Sequence, residues 1–145
     1  MNERRNDIRA QLAESSGIDE PMVDRLVRAF YAKARVDPLL GPVFNAKIEV
    51  WEPHLKTIID FWMSITLMSG AYHGQPMSKH VDLAIDARHF DRWLALWAET
   101  ARELCPETAA ERFIALSRRV GESLELGIAG KRGILLRIGE RLPPV

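Results

Sequence analysis

Apolar residues recur at intervals of three and four along almost the whole chain, and strict alternation is scarce. That spacing stacks them on one face of a helix and predicts an all-α protein. A weakly patterned first segment covers about Asn6 to Glu14 and stops at Ser15-Ser16-Gly17. Asp19 caps the next helix, and Pro21 fits its first turn, where a missing N–H costs nothing. Its apolar face reads Met22, Val23, Leu26, Val27, Phe30, Tyr31 and Ala34. Asp37-Pro38 ends it, because proline disfavours the helical conformation of the residue before it. Leu39 to Phe44 reads as an apolar connector that tucks inward. Glu52-Pro53 opens a further helix, on which Trp51, Leu55, Ile58, Trp62 and Ile65 form one buried stripe. His54, Ile58 and Phe61 lie on an adjacent strip of it, and Ser69-Gly70 ends it. Pro76 starts a short helix that carries His80 and stops near Leu83. Asp86 caps a longer one with Phe90, Trp93, Leu94 and Trp97 on one face. Cys105-Pro106 breaks the chain before the last helix, whose face is Phe113, Leu116, Val120 and Leu124.

Composition narrows the picture. The 145 residues, 47% of them apolar and 28% charged, suit one globular domain with its own core. The division expected is an N-terminal extension over residues 1–18, a helical domain over 19–130 and a tail over 131–145. The tail, with Lys131, Arg132, Arg137 and Arg141, reads as a solvated end. Twenty basic and twenty acidic residues cancel, which argues against nucleic acid as the main partner. The single cysteine, Cys105, excludes an intramolecular disulfide and a cysteine-rich zinc site. No apolar leader follows the charged N-terminus, and the run from Ile58 to Met68 is too short to span a bilayer. The expected setting is the cytoplasm, without a membrane span.

The familiar catalytic signatures are missing: no nucleophile elbow, P-loop, dinucleotide fingerprint or zinc-binding helix pair. Cys105 reads as a half-buried thiol at a helix end. The histidines are His54, His73, His80 and His89. A lone histidine beside an apolar stripe is ordinarily a boundary residue with one satisfied hydrogen bond, and that is the plain reading of His54. Taken together, His54 and His80 suggest more. They sit on different helices, 26 residues apart, in a chain with four tryptophans and five phenylalanines. A flat apolar cofactor would use such a surplus of apolar surface. A haem needs one imidazole nitrogen on its iron and apolar walls on both faces.

The ordered run of residues resembles the truncated haemoglobins, and within them the third group. The resemblance is carried by Phe30-Tyr31-Ala32-Lys33-Ala34-Arg35, by Asp37-Pro38-Leu39-Leu40-Gly41-Pro42-Val43-Phe44, and by Trp51-Glu52-Pro53-His54 with Asp60-Phe61-Trp62. It is strongest at Tyr72-His73-Gly74-Gln75-Pro76 followed by His80-Val81-Asp82-Leu83, and it closes with His89-Phe90 and Trp93. It spans about residues 20–126. The segment Leu83 to Arg88 lacks a proline that many members carry after the short helix.

The resemblance implies a shortened globin fold, with helices packed two over two around haem b. His80 matches the proximal iron ligand. His54, Tyr31 and Trp93 match distal residues, Ile58 faces the ligand cavity, and Phe44 packs against the porphyrin. Tyr72, His73 and Lys79 fall where propionate contacts are plausible, as balanced against a solvated loop. His89 reads as structural. The Tyr31 O–H and the Trp93 indole N–H can donate to the outer atom of a polarised dioxygen. Three roles stay open for His54: donating to the ligand, gating the cavity, or binding iron itself. The function implied is reversible binding of dioxygen or another diatomic ligand, for storage, delivery or sensing. A second reading is a haem redox enzyme acting on nitric oxide or peroxide, with a reductase as its partner. A third, a cofactor-free helical interaction module, leaves the pair His54 and His80 unexplained.

Overall fold

The computed structural model describes residues 2–68, 70, 80 and 83–145. Six helices appear among them: α1 (Asn2–Ser16), α2 (Glu20–Ala34), α3 (Leu40–Lys47), α4 (Trp51–Leu67), α5 (Ala87–Leu104) and α6 (Glu107–Lys131). The expected all-α class holds. Helices α2 and α4 pack together, α5 and α6 pack together, and the two pairs meet along α2–α5 and α4–α6. The short α3 bridges α2 and α5.

Local chemistry sets the helix ends. Asp19 Oδ1 accepts the Met22 N–H at 3.0 Å, with Pro21 in the first turn of α2. The buried face of α2 is Met22, Val23, Leu26, Val27, Phe30, Tyr31 and Ala34, as its periodicity predicts. Full burial of side chains such as Leu26 and Phe30 stabilises by about 1.5–3 kcal/mol each. After α2, Asp37 Oδ2 accepts from the N–H groups of Leu39 and Leu40, at 3.1 and 3.0 Å. Those bonds start α3, so the stretch read as a connector is in fact a helix. Gly41 is required there, because a Cβ would stand 2.7 Å from the Arg35 carbonyl oxygen.

Helix α4 departs from its expected stripe. Its buried residues are Leu55, Ile59, Trp62, Thr66 and Leu67, while Trp51, Ile58 and Ile65 are only half-buried. Two neighbouring strips of α4 are apolar, and spacing alone does not say which meets the closed core. The helix stops at Leu67, where Met68 takes the left-handed conformation at φ 54°. That is one or two residues before the expected break at Ser69-Gly70.

Asp86 caps α5 as expected. Its Oδ1 accepts the Arg88 N–H at 2.9 Å, and His89 Nδ1 accepts the Asp86 N–H at 3.0 Å. This reciprocal pair satisfies two donors that the helix leaves unpaired. Past α6 the chain turns back on the core. Leu142 is 1% exposed and packs with Ile85, Phe90, Ile128 and Ala129. Arg141 bonds to both oxygens of Glu125 and to Asp91. Arg132 bonds to the carbonyls of Leu83 and Ile85. A solvated end is therefore right for Lys131 and Arg137, which are exposed, and wrong for Arg132 and Arg141. These two have partners far away in sequence, which a short basic tail does not announce.

Candidate functional site

At one end of the sandwich the helices do not close. A cavity of about 240 Å³ opens there, with lining residues from α2, α3, α4, α5, α6 and the His80–Ile85 region. Six of the residues singled out from sequence line it: Tyr31, Phe44, His54, Ile58, His80 and Trp93. They come from four helices and from His80, which is itself helical. Tyr72, His73 and Lys79 lie outside the described residues. A larger depression of about 490 Å³ lies among α5, α6 and the C-terminal segment. Among the described residues it is lined by Asp91, Arg118, Glu122, Glu125 and Arg141 with apolar neighbours and by no histidine, so it lacks the chemistry of the smaller cavity.

One wall is an aromatic cluster. The Tyr31 ring stands edge-on to Phe44 at 5.3 Å and to His54 at 5.8 Å, with Trp51 at 5.7 Å. Arg35 covers the Trp51 face at 4.4 Å, a cation–π contact on the outside of the cluster. Burial pushes the Tyr31 hydroxyl well above its ordinary value, so it keeps its proton and stays a donor. Nε2 of His54 is shielded from solvent. Trp93 stands edge-on to Phe30 at 6.2 Å and lies nearly parallel to Trp97, also at 6.2 Å. Thus Trp93 borders both the cavity and the core, while Trp97 is wholly core at 1% exposure.

Several lining residues escape sequence reasoning. Lys47 is exposed at the end of α3, in the stretch between Phe44 and Trp51 to which periodicity assigns no element and so no face. Thr57 lines the cavity one turn before Phe61, hidden among apolar neighbours. His89 both caps α5 and lines the cavity. Its place three residues after Asp86 was the available signal, since that is the reciprocal position of a capping box. The structural role expected for His89 agrees with its bond to Asp86.

The donor set fits haem. Imidazoles reach one cavity from three elements, as His54, His80 and His89, while Phe44, Ile58, Phe61 and Phe90 supply apolar wall and Lys47 offers a cation for a carboxylate edge. The arrangement defines a globin-type pocket in a helical sandwich. A group 3 truncated haemoglobin of Campylobacter jejuni, ctb, is 39% identical over 88 residues, covering 57% of this chain and 69% of that protein. By these measures the chain belongs to the group 3 truncated haemoglobins, a family of globin-type haem proteins. The crystal structure of group III truncated haemoglobin from Campylobacter jejuni superposes with a TM-score of 0.70 at 28% identity, covering 85% of this chain and 95% of that one. A thermostable haemoglobin from the actinobacterium Thermobifida fusca matches in fold, with a TM-score of 0.64 at 22% identity over 78% of this chain and 94% of its own. No protein-family model matches the chain. Among the described residues no helix is long and apolar enough to cross a membrane.

Proposed function

We propose that the chain is a haem b protein that binds dioxygen or another diatomic ligand reversibly, with residues 19–130 as its globin unit and the cytoplasm as its setting. The observation that carries this reading is the meeting of His80, His54, Tyr31 and Trp93 at one apolar cavity. Haem, when bound, supplies an iron with a coordination position for a small ligand. His80 would hold that iron through a ring nitrogen. Phe44 and Ile58 exclude water and hold the porphyrin by apolar contact. By the family resemblance, Tyr72 and His73 would contact the haem edge.

The Tyr31 O–H and the Trp93 indole N–H would donate to the polar end of such a ligand. Tyr31 is suited to this because burial keeps its proton on and its ring is fixed by Phe30, Phe44 and His54. His54 stands beside Tyr31 and orients it or donates in turn. The decisive experiment is an absorption spectrum of the purified protein in ferric, ferrous and carbonyl forms, for wild type and His80→Gly. The wild type is expected to show a haem b spectrum with a Soret band. His80→Gly is expected to lose haem, or to regain its coordination only with added imidazole. Unchanged coordination in that variant overturns the assignment of His80.

A further inference from the structure

From Leu83 to Asp86 the backbone leading into α5 is irregular, and much of what holds it comes from the other end of the chain. The Leu83 N–H donates to the His80 carbonyl at 3.1 Å, and the Ile85 N–H to the Leu83 carbonyl at 3.0 Å. Two acceptor positions on this stretch, the Leu83 and Ile85 carbonyls, are gripped by one side chain. Arg132, just past α6, donates from Nη2 to the Leu83 oxygen at 2.7 Å and from Nη1 to the Ile85 oxygen at 2.9 Å. A guanidinium is a rigid fork, so the two carbonyls are held at a fixed separation and direction. Leu142 packs against Ile85 and Phe90 from the core side. The Ala87 N–H donates to the Leu142 carbonyl at 3.2 Å, and the Val145 N–H to Asp86 Oδ2 at 3.2 Å. Leu83 and Ile85 in turn line the same cavity as His80.

We propose that Arg132, together with the returning C-terminal segment, is a positioning element for His80: it fixes the Leu83–Asp86 link and, through the Leu83 N–H, the backbone that aims the imidazole into the cavity. This rests on the reading of His80 as the iron ligand. Regular helix carries Tyr31, His54 and Trp93. The His80 wall has no such continuous ladder between Leu83 and Asp86, and external donors take its place. Arg132 lies 49 residues from Leu83 in sequence, so the contact is tertiary and separable from the link it serves.

The test uses the holoprotein with Arg132→Gln. Three readouts are followed: the iron–imidazole stretching band of the ferrous, ligand-free protein by resonance Raman, hydrogen exchange at the Leu83 and Ile85 amides, and haem release to excess apomyoglobin. The band is expected to shift and broaden. Exchange at Leu83 and haem release are each expected to quicken roughly tenfold, the loss of about one charged hydrogen bond. Arg28→Gln removes a similar fork on the far side, to Glu52, and is expected to leave the band in place. A wild-type band with wild-type exchange at Leu83 in Arg132→Gln overturns the proposal. If Arg132→Gln does not fold, Arg132→Lys serves: it keeps the charge and one donor, a smaller shift is expected, and no shift overturns the proposal equally. An iron–imidazole band that persists unchanged in His80→Gly removes instead the reading on which this rests.

Discussion

Around Trp97 the aromatic rings close on one another, and around Tyr31 the same kinds of ring leave room. Trp97 is 1% exposed and stacks on Trp62 at 4.4 Å and 16°, with Phe30 and Phe113 edge-on at 5.2 and 6.2 Å. Its indole N–H is satisfied internally, by the Phe113 carbonyl at 3.3 Å. At the other end Tyr31, Phe44, Trp51 and His54 meet edge-on or tilted, none of them stacked, and a cavity of about 240 Å³ stays open beside them. Interiors are close-packed, and an apolar void weakens a fold. The difference lies in the polar atoms. The closed end uses up its own donors, and the open end brings a phenol, an indole and imidazoles to the cavity. One end is built for stability and the other for an occupant.

The comparison is broken most directly by truncating a ring at each end. Phe113→Ala, at a fully buried site, is expected to cost about 3–5 kcal/mol. Phe44→Ala, half-buried at the cavity, is expected to cost under about 2 kcal/mol in the same urea unfolding of the haem-free chain. Equal losses would mean that the open end is packed as tightly as the closed one. The next effect is on the ligand and not on the fold. Tyr31→Phe and Trp93→Phe are each expected to speed dissociation of dioxygen by about one to two orders of magnitude, the worth of a hydrogen bond of roughly 1–3 kcal/mol. Stopped-flow dissociation on the haem-loaded variants reads this. If neither rate changes, these donors do not hold the ligand.

The two ends were not equally legible in the sequence. Wherever a wall is a regular helix, apolar spacing finds it: the buried face of α2 emerges residue by residue, and Asp19 and Asp86 announce the starts of α2 and α5. The resemblance then gathers Tyr31, Phe44, His54, Ile58, His80 and Trp93, which the cavity brings together. What fails is what depends on distant partners. Periodicity could not choose Ile58 or Ile59 for the core, because both strips of α4 are apolar. It could not see α3, whose start depends on Asp37 accepting from Leu39 and Leu40 and being held by Arg92. Nor could it see that Arg132 and Arg141 are tied down, since hydrogen bonds across 49 and 16 residues leave no local pattern.

Asp86 sharpens the contrast, because it stabilises the open end through charge and not through packing. The Arg88 guanidinium, with the N–H groups of Val145 and Arg88, holds its carboxyl well below the ordinary 3.8, against the opposing effect of burial. A carboxylate depressed in this way stabilises the fold fully above its unfolded value, and the contribution is lost as pH falls toward the folded value. Asp86→Asn keeps a capping side chain and removes the charge. It is expected to cost about 1–2 kcal/mol at pH 7, with the gap to wild type constant down to about pH 5 and narrowing below pH 4. Urea unfolding at several pH values checks this. A gap independent of pH would show that the cap, and not the charge, matters there.

The smallest effect belongs to the closed end, where charge sits on the outside. Lys33 on α2 reaches Glu103 at 2.8 Å and Glu99 at 3.2 Å on α5. Burial opposes its charge, yet the two glutamates prevail and raise its pKa. The glutamates are more than half exposed, at 54% and 58%, so water and salt screen the attraction. Glu125 makes the contrast. At 9% exposure it takes the Arg141 fork and the Leu142 N–H together, and its bonds anchor the C-terminal segment. Lys33→Gln is therefore expected to change stability by under about 0.5 kcal/mol, and by still less in 1 M salt. Thermal unfolding at low and high salt measures it. A loss above 1 kcal/mol that survives high salt would mean that α2 and α5 are joined by charge as well as by the rings packed around Trp97.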